Sequence, residues 1–143
     1  MEREMLRETM EADRERAARF LEGMKGGRCG NKDAFADCVR GYALARFSLP
    51  EEETGQEIAE LAARSMARAM GVSVESFKSR DRASGCDYTT SVTDKKLLLI
   101  LSLTRELGVK LSPGLAPKIK TLAQLADSLW EEMEKTCGET TSP

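Results

Sequence analysis

Apolar positions recur at intervals of three and four along most of this chain, a spacing that predicts helices rather than strands. Met5, Leu6, Met10, Ala17, Phe20, Leu21 and Met24 form a narrow stripe on an otherwise charged helix over residues 2 to about 24. Gly26, Gly27 and Gly30 break that helix. Asn31 is placed to cap a second helix over 32–47, with Ala34, Phe35, Cys38, Val39, Tyr42, Ala45 and Phe47 facing inward. Two capping patterns, Ser48-Leu49-Pro50-Glu51 and Thr54-Gly55-Gln56-Glu57, offer alternative starts for a third helix that Gly71 closes. Residues 78–92 show no periodicity and read as a polar loop. Thr93 or Asp94 then caps a helix over 95–107, which Gly108 closes. That helix is apolar almost all round, so it is expected to be the central one, with Leu97, Leu99, Ile100, Leu103 and Leu107 buried. After Pro113 and Pro117 come a short helical turn near 117–120 and a last helix over 121–135. No strand alternation and no internal repeat is visible.

The class is therefore all-α, with two helices ahead of a four-helix bundle. The capping signals place the boundary at residue 48. Residues 1–47 read as an N-terminal helical extension, 48–136 as the main domain and 137–143 as a flexible tail. A chain starting near Ser48 is expected to fold alone.

Charged residues make up 32% of the chain and hydrophobic ones 41%, a balance that suits a soluble protein with a core. The net charge of −2 gives no bulk attraction to nucleic acid or to an anionic membrane. No apolar run is long enough to span a bilayer. Met1 to Met5 form no apolar signal region, so a cytoplasmic location is expected. Histidine is absent, which removes the commonest general base and the commonest zinc ligand. Cys29, Cys38, Cys86 and Cys137 lack zinc-site spacing and read as thiols. No combination of base, nucleophile and oxyanion donor can be assembled, so the chain is not expected to be an enzyme.

Three segments carry a resemblance. Ala69-Met70-Gly71-Val72-Ser73-Val74-Glu75-Ser76-Phe77 is similar to the end of the first helix of an acyl carrier protein and its following turn. Glu106-Leu107-Gly108-Val109-Lys110-Leu111-Ser112-Pro113 is similar to the end of the family's second helix. Lys118 to Leu129 resembles its short third helix running into the fourth. The resemblance covers about Gly55 to Lys135 and implies the family's four-helix bundle. It also implies a 4′-phosphopantetheine arm on a serine at the exposed start of the central helix, attached by a phosphopantetheinyl transferase.

Where the family carries Asp-Ser-Leu, this chain has Gly85-Cys86-Asp87-Tyr88-Thr89-Thr90-Ser91-Val92-Thr93-Asp94. Counting forward from Gly71 puts the family serine on Ser91. Counting back from Glu106 puts it on Thr93, and matching the Gly-x-Asp pattern puts it on Tyr88. Ser91 is the only serine of the three and is the candidate attachment site; the plain alternative is that Ser91, Thr93 and Asp94 simply cap the helix. The family's acidic surface is also replaced. Lys95 and Lys96 stand there, with Arg80 and Arg82 in the segment before, as candidate partner-binding residues. Residues 56–136 hold twelve Lys and Arg against eleven Asp and Glu, so enzymes that read an acidic carrier should bind poorly. The resemblance implies a stand-alone acyl or aminoacyl carrier, or a docking subunit derived from one. Its setting would be that of bacterial peptide maturation or secondary metabolism, with carrier-pathway enzymes as partners. The alternative is a helical adaptor that binds a partner enzyme and carries no prosthetic group.

Overall fold

The computed structural model describes the backbone of residues 2–26, 31–83, 88–112 and 114–141. Side chains are described for residues 4, 7–25, 31–79, 92–112 and 114–135. Among the described residues six α-helices follow one another: α1 (Glu2–Gly26), α2 (Lys32–Arg46), α3 (Ile58–Met70), α4 (Val74–Ala83), α5 (Tyr88–Leu107) and α6 (Leu122–Thr141). A short 3-10 turn, Ala116–Lys118, precedes α6, and the described residues form no strand beyond one isolated bridge. Helix α1 packs along α2, α2 against α6, and α3 against α4 and α5. The all-helical class is as the periodicity predicts.

The caps explain most boundaries. Asn31 Oδ1 accepts from the amides of Asp33 at 2.8 Å and Ala34 at 3.3 Å, which starts α2 where expected. Gly71 and Gly108 close α3 and α5 in the left-handed region, at φ 69° and 67°. Ser48 takes the same role after α2 at φ 55°, and the Leu49 amide reaches back to the Leu44 carbonyl at 2.8 Å. Thr121 and Gln124 form a reciprocal capping box at the start of α6. The Thr121 hydroxyl accepts from the Gln124 amide, and the Gln124 side chain accepts from the Thr121 amide, both at 3.1 Å.

Four boundaries differ from the sequence reading. Helix α3 begins at neither capping pattern. Its N-cap Glu57 makes no side-chain cap; instead the Ile58 amide donates to the Lys120 carbonyl, and the Leu122 amide to the Gln56 carbonyl, both at 2.8 Å. Pairing between two distant segments thus replaces the local cap. Residues 78–83 are not loop but the end of α4. Ser73 Oγ caps that helix by accepting from the Ser76 amide at 3.1 Å, and Phe77 is buried beneath it. Helix α5 begins at Tyr88 and not at Lys95. Tyr, Thr, Ser and Val are weak helix formers, but Val92 is buried, and tertiary packing outweighs that propensity. Thr93 and Asp94 are therefore exposed residues inside α5 rather than its caps. Helix α6 continues to Thr141, through most of the segment read as a tail.

The core also departs from expectation. Leu99, Ile100, Leu103 and Leu107 are buried, but Leu97 is only half-buried, and Leu98 and Leu101 are exposed. Helix α2 is more enclosed than the described part of α5, burying Phe35, Val39 and the whole run Gly41–Ala45. One hydrophobic cluster draws on both sides of residue 47. It joins Met24, Phe35, Val39 and Leu44 to Ile58, Leu61, Leu103, Leu125 and Leu129. The Phe35 and Trp130 rings meet at 5.3 Å between centroids, which fixes α2 on α6.

Candidate functional site

Ser91 is the fourth residue of α5 and Tyr88 the first, so the two lie in the opening turn of that helix. Thr93 falls in the next turn. The side chains of Tyr88 and Ser91 lie outside the described residues, as do those of Arg80 and Arg82 on α4, and all of Cys86. The first turn of any helix presents unsatisfied amides and a favourable end of the backbone dipole to an anion.

Lys95 and Lys96 follow one turn later, both half-buried. They diverge to opposite flanks of α5. The Lys95 ammonium sits over the Phe47 ring, 5.4 Å from its centroid. Burial lowers its pKa from the ordinary 10.5, and the neighbouring Arg46 lowers it further. The Lys96 ammonium donates to the Pro117 carbonyl at 3.4 Å. Burial and then Lys120 lower its pKa likewise. Two pairs of like charges thus flank the N-terminal half of α5, Arg46 with Lys95 and Lys96 with Lys120. None of the four forms an ion pair with a carboxylate among the described residues. Other cations are neutralised: Arg64 meets Glu53, Lys32 meets Asp127 at 3.1 Å, and Arg16 meets Asp13 at 3.2 Å.

A shallow depression of about 120 Å³ lies beside Lys95, lined by Arg46, Phe47, Lys95, Leu98 and Leu99. Sequence reasoning finds Lys95 but misses Arg46 and Phe47, which close-range pattern cannot connect to α5. Arg46 ends α2, and the Tyr42–Ser102 hydrogen bond of 2.6 Å ties α2 to α5 nearby. Elsewhere, Cys38 is a free, half-buried thiol whose pKa is pushed up by burial and then by Asp37, the wrong direction for a reactive nucleophile. Among the described residues no cluster of metal-ligating side chains occurs. No described helix is long and apolar enough to cross a membrane.

Comparison of the chain with protein-family models, curated proteins and solved structures finds no match.

Proposed function

We propose that the chain is a carrier-like protein, a stand-alone acyl or aminoacyl carrier or a docking subunit derived from one. The observation that supports this is the position of Ser91 in the opening turn of α5, within a helix order of long, connecting, long, short and last over α3 to α6. A carrier needs an exposed hydroxyl at such a turn. Its oxygen would attack the pyrophosphate of coenzyme A on a separate transferase, forming a phosphodiester and releasing adenosine bisphosphate. The residues present fit a phosphate there: the helix start favours an anion, and Lys95 and Lys96 add positive field within about a turn. Since both ammonium groups turn to the flanks, that contribution is through the field and not through contact. The bound arm would hold an acyl group as a thioester and deliver it to partner enzymes. The basic flanks suit specialised partners with acidic surfaces.

Incubation with coenzyme A and broad-specificity phosphopantetheinyl transferases tests the reading by intact mass. One added phosphopantetheine, lost in Ser91→Ala, is the expected result. An unchanged mass with several transferases would remove the carrier. The second reading, an adaptor that carries no arm, then stands. It is favoured by Leu98 and Leu101, two exposed leucines on the same helix that a protein partner could cover.

A further inference from the structure

Helix α5 turns Leu98 and Leu101 to solvent at 65% and 62% exposure, although they belong to the most leucine-rich helix of the chain. Lys95, Leu98, Leu101 and Arg105 are spaced three, three and four apart, so they form one stripe down the helix. Lys95 and Arg105 stand at its two ends, and the exposed Asp94, four residues before Leu98, sets one carboxylate against those two cations and Arg46. Arg46 stands at the upper edge, beside Lys95, across the 120 Å³ depression. A second hollow of about 260 Å³ continues past Arg46 to Arg14 and Met10, itself 49% exposed. The one carboxylate lining that hollow, Asp13, is already engaged by Arg16 at 3.2 Å and by the Ser48 hydroxyl at 2.7 Å.

We propose that the stripe Lys95–Leu98–Leu101–Arg105, with Arg46 at its edge, is a docking surface for an acidic amphipathic helix of a partner protein. Apolar side chains of that helix cover Leu98 and Leu101, and its carboxylates meet Arg46, Lys95 and Arg105. Charge complementarity carries the choice of occupant. Arg46 and Lys95 are held together without a carboxylate among the described residues, and an anionic partner relieves that repulsion. The depression is well below the roughly 300–1,000 Å³ of small-molecule sites, so it suits one side chain of a partner better than a free ligand. The chain's own helix α1 does not supply such an occupant from a second copy, because its charges are nearly balanced and its apolar residues Ala17, Phe20 and Met24 are packed in the core. The proposal rests on the docking part of the reading above and is independent of Ser91.

The test titrates full-length protein, labelled on its leucine methyls, with a synthetic amphipathic helix bearing leucines at i, i+3, i+4 and i+7 and glutamates on both flanks. The same peptide with lysines in place of glutamates is the control. The Leu98 and Leu101 methyl signals should move most, and only with the glutamate peptide. Lys95→Glu with Arg46→Glu should weaken binding by about tenfold or more, and Leu98→Ser with Leu101→Ser should abolish it. Circular dichroism should be unchanged in both double variants, since the leucines and Arg46 are exposed and Lys95 is only half-buried at the edge of the depression. Equal binding of both peptides, binding of neither, or shifts elsewhere would overturn the proposal. So would sedimentation showing that the protein alone dimerises and that Leu98→Ser makes it monomeric. Failure of Ser91 to accept an arm leaves this outcome untouched, and failure of both peptides leaves the carrier test untouched.

Discussion

Helices α2 and α5 are joined by the Tyr42–Ser102 hydrogen bond, yet the protein treats them very differently. Helix α2 contains Lys32, Asp33, Asp37, Arg40 and Arg46 and is rich in alanine, yet it buries a continuous run from Gly41 to Ala45. Helix α5 has five apolar residues in a row from Leu97 to Leu101 and leaves two of them largely in water. The difference lies in size and neighbours. Small residues let α2 be approached from several sides: a side chain at Gly41 would collide with the Phe20 ring of α1, and one at Gly23 would lie 2.8 Å from Cys38 Sγ. Leucines on α5 fill the side that faces α3 and the cluster, and no described element covers the other. Hydrophobicity sets how much a helix gains from burial, but close approach sets how many partners it has.

Helix α2 is thereby the largest point of failure. Removing residues 1–47 should remove cooperative unfolding altogether, because Phe35, Val39 and Leu44 leave the cluster and the Trp130 face of α6 opens to water. A sharp thermal transition with native helical circular dichroism in that fragment would show that α3 to α6 suffice and that the boundary at residue 48 separates two units.

Point substitutions sharpen the same contrast. Leu44→Ala and Leu103→Ala should each cost about 2–5 kcal/mol in chemical denaturation, since both side chains are fully enclosed. Leu98→Ala and Leu101→Ala should stay within about 0.5 kcal/mol of the parent. A large loss at Leu98 or Leu101 would mean that their face is covered in solution. Gly41→Ala should be destabilising by about 1–3 kcal/mol despite alanine's better helix propensity, because the Phe20 ring has to move. In a Phe20→Leu background that cost should shrink; an unchanged cost would place the conflict elsewhere.

The smallest effect concerns Lys95. Its folded pKa lies below the ordinary 10.5, so between those two values the unfolded chain binds more protons, and stability rises with pH. Below the folded value the charged lysine is a standing cost. Lys95→Met should flatten this alkaline rise; a slope unaltered by the substitution would assign it to Lys96 or another group.

Much of the architecture was legible because it is locally encoded. The Asn31 cap, the Gly71 and Gly108 closures and the broken link around Pro117 are short-range devices, and each stands where the chain announces it. Helix α4 was hidden because it is short and its signal is only Ser73 and Phe77. The early start of α5 was hidden because Thr89, Thr90 and Val92 are weak helix formers, and the burial of Val92 is a tertiary contact that local pattern does not show. For the candidate site, Lys95 and Lys96 could be read from sequence, but Arg46 and Lys120 could not, since their proximity exists only after folding. Ser91 could be singled out only by register, and three registers competed.

The isolated bridge between Glu57 and Thr121 has a kinetic consequence. The first amide of α3 and the first amide of α6 depend on each other's segments, through Ile58 to Lys120 and Leu122 to Gln56. During synthesis α3 leaves the ribosome before Lys120 exists, so its N-terminal turn stays frayed until Lys120 has emerged. Closing that loop pays its entropy late and in one step. In native-state hydrogen exchange, the Ile58 and Leu122 amides should therefore open together, as one cooperative latch rather than as the ends of two separate helices.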